Sequence, residues 1–148
     1  MRKVISLMAL CAMMVIAIGF VSCSHEAKDG DWETMKWKKV VPEVVKIDGK
    51  TCYSVPMEGG TYTFICKNYS GFWLADILDN DEVVTRDLIN DHLRYESGWV
   101  NVKVEGNVMT VTFAHNDSHA RKLEVCVTAG DIFDSFRFIQ QSPFRNEK

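Results

Sequence analysis

His115 and His119 stand four residues apart with Asp117 and Ser118 between them, a spacing that on a helix would turn two imidazoles toward one metal ion. Here they fall in Phe113-Ala114-His115-Asn116-Asp117-Ser118-His119, a stretch between two strand-like runs, where the helical rule does not hold. Asn116 and Asp117 therefore read as turn formers that bond local backbone, with Arg121 placed to reach the turn carbonyls or a carboxylate. Asp76, Asp79, Asp81 and Glu82 offer hard oxygen ligands to calcium, but without the order or the glycine of an EF-hand, so they read as a solvated loop. Beyond Cys11 and Cys23, the cysteines are Cys52, Cys66 and Cys126, separated by 13 and 59 residues, which fits no zinc motif. No metal and no cofactor is expected. No pair of acids lies on an apolar strand face as glycoside hydrolysis would need. No nucleophile elbow, phosphate loop or dinucleotide fingerprint is present, so the chain does not read as an enzyme.

The aromatic residues can do a different chemistry, since a flat ring face stacks on the apolar face of a sugar while polar neighbours take its hydroxyls. Trp73 and Trp99 could serve as such platforms, or could fill the core of a small domain, where each aromatic buries about 150 to 250 Å². Tyr69, Phe72 and Tyr95 lie beside turns and are expected to be exposed for stacking, with Asn68 and Asp79 as polar partners.

These residues are carried by strands. Thr61-Tyr62-Thr63-Phe64-Ile65-Cys66 follows the break Glu58-Gly59-Gly60 and alternates with period two. Trp99 to Val104 and Val108 to Phe113 form a hairpin about Glu105-Gly106-Asn107, where Gly and Asn can take positive φ. Lys122 to Thr128 alternates charged with aliphatic residues, as a half-buried strand does, and Ser135 to Gln140 closes the set. Short strands also run from Thr51 to Pro56 and from Phe72 to Leu78. About seven strands with glycine-containing turns give an all-β sandwich. The charged stretch from Asp79 to Ser97 carries Leu88, Ile89 and Leu93 at helical spacing and is a long connection. It reads either as a short helix over one end of the sandwich or as a functional loop. Cys66 shares a face with Tyr62 and Phe64, and Cys126 shares one with Lys122 and Glu124, so no bridge between them is expected. A Cys52 to Cys66 bridge stays open. An odd cysteine count leaves at least one thiol free or paired between chains.

The N-terminus sets the address. Arg2 and Lys3 precede an apolar run from Val4 to Val21, the pattern of an export signal, and Phe20-Val21-Ser22-Cys23 has the form of a lipobox with lipidation at Cys23. A membrane helix would need about 20 apolar residues. Acyl chains on Cys23 would anchor the protein to a membrane at about 0.8 kcal/mol per buried methylene. Without the signal, 15 basic stand against 20 acidic residues, a formal charge of −5, which argues against nucleic acid. The expected plan is a signal peptide over 1–22, a tether and N-terminal arm over 23–43, a sandwich over 44–142 and a tail over 143–148, with Trp32 to Val45 reading either as a first edge strand or as an ordered arm.

Gly59-Gly60-Thr61, Asn68 before Trp73, Trp99 with Val100-Asn101-Val102, Phe113-Ala114-His115-Asn116 leading to Arg121, and Phe138-Ile139-Gln140 together resemble the BACON domain of Bacteroidetes. The match spans about Val44 to Ser142, with a longer Trp73 to Trp99 segment than is usual and Lys122 where Thr is common. The resemblance implies an immunoglobulin-like sandwich in which Gly59, Gly60, Trp73, Trp99, Asn116, Arg121 and Gln140 are structural and both tryptophans face the core. It implies a ligand of carbohydrate or mucin type. The acidic tether resembles the Bacteroidetes signal for lipoproteins of the outer membrane, some of them surface-exposed. The function expected is a non-catalytic lipoprotein that binds glycans, or else a structural or assembly subunit that contacts a protein partner at the cell envelope.

Overall fold

The computed structural model describes residues 32–90 and 92–144. Cys23, the signal and the tether lie outside the described residues.

Valines and aromatics at every second position decide the architecture. In Val100–Glu105 the three valines are buried while Asn101, Lys103 and Glu105 turn away, because strand side chains alternate between faces. Met109, Val111 and Phe113 bury the same face of the following strand. A sheet with one apolar face must cover it, and here two sheets cover each other. The first has five strands, in spatial order β1 (Trp37–Val40), β4 (Gly60–Cys66), β9 (Val108–Phe113), β8 (Val100–Glu105) and β7 (Arg94–Glu96). The second has six, in the order β2 (Glu43–Ile47), β3 (Lys50–Val55), β11 (Ile132–Gln140), β10 (Arg121–Ala129), β5 (Trp73–Asp79) and β6 (Glu82–Val83). The protein is an all-β sandwich. All pairings are antiparallel except β3 with β11, where Tyr53 stands opposite Phe138.

Aromatic rings from the two sheets meet in the centre. Phe64 of β4 lies 4.6 Å from Phe136 and 5.8 Å from Phe138 of β11, and Phe113 of β9 lies 5.2 Å from Phe138. Each such pair adds about 0.5 to 1.5 kcal/mol beyond its buried area. The hairpin β8–β9 turns at Gly106 with φ of +58°, while Asn107 does not share the positive φ. Asn107 instead donates its side-chain amide to the Cys66 carbonyl at 2.8 Å, tying the turn to β4.

Three expectations change. The sandwich has more strands than about seven, since β1, β2, β6 and β7 add short edges. The arm before residue 44 belongs to the sandwich: β1 pairs with β4, Met35 is buried, and Trp37 donates its indole N–H to Asp134 at 2.7 Å. Among the described residues, the stretch from Asp79 to Ser97 forms no α-helix. Asn80, Asp81, Asn90 and His92 take positive φ, which breaks any helical run, and the chain crosses between the sheets through β6, a single 3-10 turn at Thr85–Asp87 and β7.

Candidate functional site

The outer face of the six-stranded sheet is where chemistry-bearing side chains meet solvent. Antiparallel pairing brings them into rows across β5, β10 and β11: Trp73, Thr128 and Phe133 in one, Asp76, Cys126 and Ser135 in the next, and Leu78, Glu124 and Arg137 in a third. Trp73 is 43% and Phe133 64% exposed, and Thr128 between them is buried, its hydroxyl bonded to the Gly130 carbonyl. Two aromatic side chains thus flank one small residue on an open sheet face. In the third row Arg137 makes a two-pronged ion pair with Glu124, Nε to Oε2 at 3.0 Å and Nη2 to Oε1 at 2.6 Å, both side chains about one-third exposed. Rows one and three lie about 14 Å apart along the strands, four residues at roughly 3.4 Å each.

A local irregularity places Trp73 there. Pairing of β5 with β10 passes from Asp76 opposite Cys126 to Leu74 opposite Val127, so Ala75 is an extra residue. This bulge lets Leu74 and Ile77 both point inward and turns Trp73, Asp76 and Leu78 outward. The expected core position of Trp73 is therefore corrected. Trp99 is half-buried against the core.

The expected stacking residues are elsewhere. Phe72 and Tyr95 are 2% and 3% exposed, so neither offers a ring face to a ligand. Phe72 packs edge-on to Trp37 at 5.2 Å. Tyr95 donates its hydroxyl to Asp79 at 2.8 Å, and Trp99 donates its indole N–H to the same carboxylate at 3.0 Å. Asp79 on one sheet thus holds two aromatics of the other, rather than serving a ligand. Burial and the Asp79 carboxylate push the Tyr95 hydroxyl up to about 12. Tyr69 is half-buried and donates to the Glu33 carbonyl. Asn68 accepts from the Lys36 amide at 2.9 Å and the Cys66 thiol at 3.5 Å, and donates to the Thr34 carbonyl at 3.0 Å, fastening the N-terminal arm.

The remaining pattern residues build one end of the sandwich. Asn116, fully buried, donates to the carbonyls of His119 and Gln141 at 2.9 and 2.8 Å and accepts from the Ser118 amide at 3.1 Å. Gln140, also fully buried, donates to the Ala114 carbonyl at 2.6 Å. Gly59 lies against that segment, and a side chain at Gly60 beside it would crowd the Tyr62 hydroxyl. Arg121 makes its contact through its plane, 5.5 Å over the Trp99 ring, rather than with turn carbonyls. His115 and His119 are exposed, and the His119 ring rests on Phe144 at 5.6 Å. Asp76 accepts from Thr85 and Asp81 from Lys122, so the acidic residues of that stretch face different partners. Among the described residues no group of three or more His, Cys, Asp or Glu could hold a metal ion. Cys66 lies in the core while Cys52 and Cys126 lie on the outer face of the other sheet, and all three are free thiols.

Fold and surface define an all-β two-sheet protein with an aromatic outer face. The chain is similar to a protein from Bacteroides thetaiotaomicron whose structure was solved by NMR, with 33% sequence identity, a TM-score of 0.65, and coverage of 83% of this chain and 99% of that one. At that identity and coverage, this chain belongs to the same family as the Bacteroides protein. No family model matches the sequence, and no curated protein matches it.

Proposed function

We propose that the protein is a non-catalytic, lipid-anchored envelope protein of BACON-like type that holds a carbohydrate or mucin glycan on the outer face of its six-stranded sheet. The observation that carries this reading is the row Trp73, Thr128 and Phe133, in which two exposed aromatics flank a small buried residue. An exposed indole on a rigid strand is costly to leave in water and suits the apolar face of a pyranose. The lipobox at Cys23 and the acidic segment after it support anchoring to the outer membrane of a Gram-negative cell, and kinship with a Bacteroides protein agrees with that address.

A glycan and mucin array probed with residues 32–148, the unit that contains the whole core, tests the reading. Binding by the native sequence that falls at least about tenfold in a folded Trp73→Ala/Phe133→Ala variant is expected, since each stacked ring is worth about 1 kcal/mol or more. Absence of binding to any glycan would overturn it. That result would favour the second reading, an assembly subunit that pairs with a partner protein along β2, an open sheet edge where Val44 is 53% and Ile47 39% exposed.

A further inference from the structure

We propose that a cleft at the far end of the same sheet face holds one neutral sugar ring through neighbouring hydroxyl groups, with Glu124 and Arg137 as the hydrogen-bonding floor. This rests on the carbohydrate reading above and names the chemistry of a second contact point.

The cleft has a volume of about 240 Å³. That is below the range of drug-sized pockets, about 300 to 1,000 Å³, and suits a single ring rather than a long ligand. Its walls come from opposite edges of the sheet: Asp48 of the β2–β3 turn on one side and Asp81 of the β5–β6 turn on the other. Both turns have positive φ at their two loop residues, Asp48 with Gly49 and Asn80 with Asp81, the tight primed geometry that holds a hairpin tip rigid. Ile47, Leu78 and Ile139 make the surface between them apolar, and the Cys52 thiol, 4% exposed, seals it beside Arg137.

Charge decides the ligand class. Lys50, Lys122 and Arg137 line the cleft with Asp48, Asp81 and Glu124, an even balance. Lys122 is bonded to Asp81 at 3.0 Å and Arg137 to Glu124 through two bonds. With those pairs made, there is no excess charge to draw in a phosphate, a uronate or a cation. What the ion pair retains is unused hydrogen-bonding capacity: guanidinium N–H groups not directed at Glu124, and carboxylate lone pairs not directed at Arg137. A donor plane beside an acceptor plane matches two adjacent hydroxyls, one of which accepts from Arg137 while the other donates to Glu124. The ring's apolar edge then lies on Leu78 and Ile139. A ligand in the cleft and one on Trp73 would lie about 14 Å apart along the strands, so one oligosaccharide could reach both.

Amide chemical shifts of residues 32–148, recorded while methyl glycosides of neutral hexoses, the corresponding uronates and the hexose phosphates are added, test this. Neutral glycosides should move the amides of Lys122 to Glu124 and Arg137 to Ile139 more than either charged set. The Trp73→Ala variant should keep those shifts. Replacing both members of the pair, Glu124→Leu with Arg137→Leu, avoids leaving one charge unpaired and should weaken the response about tenfold or more, as loss of hydrogen bonds to charged groups requires. Shifts confined to the neighbourhood of Trp73 and Phe133 would overturn the cleft and leave the aromatic row standing. A stronger response to uronates or phosphates would overturn the ligand class. No shifts anywhere would overturn both this proposal and the carbohydrate reading.

Discussion

At Gly59 a single added carbon would sit 2.2 Å from the Phe113 carbonyl oxygen, at a φ of +83°. Neither contact nor dihedral can relax without moving backbone, so Gly59→Ala should destabilise the protein by about 2 kcal/mol or more in urea unfolding. Asn116 poses the opposite demand, because three backbone groups depend on its amide. Asn116→Ala leaves three partly buried backbone groups without their partner and should cost about 1 to 3 kcal/mol by the same measurement. Tyr95 gives a pH dependence. Its ionisation is pushed up from 10.0 to about 12 in the fold by burial and by Asp79, so the native state keeps a proton that the unfolded chain loses. The stability this brings is fully present below pH 10 and is lost as pH rises from 10 toward 12. Unfolding midpoints across that window should fall less steeply in Tyr95→Phe than in the native sequence; Tyr62, raised by burial, keeps a residual slope of the same sign. Gln140 was expected to be structural through the family resemblance alone, whereas Asn116 was legible as a turn former from its type. The exposure of Tyr69, Phe72 and Tyr95 was not, since position beside a turn says nothing about which way a ring points.

Single strands carried most of their own information. The hairpin β8–β9 and the charged-aliphatic alternation of β10 announce themselves, because period-two burial and a glycine turn are local properties. Long-range pairing is different: the parallel contact of β3 with β11 joins residues far apart in sequence, and nothing local specifies it. The bulge at Ala75 shows how one residue changes a face. Strict alternation would group Trp73 with Ile77, whereas the extra residue sends Ile77 to the core and Trp73 to solvent. Leu88, Ile89 and Leu93 had helical spacing, but the positive φ of Asn90 and His92 between and around them forbids the helix. Asp48-Gly49 carries a hairpin signal of its own, and it marks one wall of the cleft. A test at this scale compares two phenylalanines of β11 on opposite faces. Phe136→Ala should cost about 3 to 5 kcal/mol, because it opens a cavity beside Phe64 and Trp37. Phe133→Ala, on the outer face, should stay within about 0.5 kcal/mol, and the same urea titrations give both values.

For the molecule as a whole, the two inner faces cover each other, and the outer face of the six-stranded sheet carries aromatics at one end and a charge-balanced cleft at the other. The core lies between the sheets and the proposed recognition surface on the outside of one of them, so the two can be varied separately. On the proposed lipidation of Cys23, Cys23→Ser should release the protein from the membrane fraction without altering its unfolding, which fractionation and circular dichroism would register together. The aromatic row was the part of the candidate site least legible in the sequence, since Phe133 and Trp73 lie 60 residues apart and meet only through β10. The central claim is most directly tested by acrylamide quenching of tryptophan fluorescence in residues 32–148, with and without mucin oligosaccharides. Trp32, 63% exposed, is the most accessible indole, so the measurement is made in a Trp32→Phe background, where Trp73 at 43% is the most quenchable. The account predicts that the oligosaccharides protect it and that this protection disappears when Trp73→Phe is added. Quenching that mucin oligosaccharides leave unchanged, or protection that persists in Trp73→Phe, would contradict it.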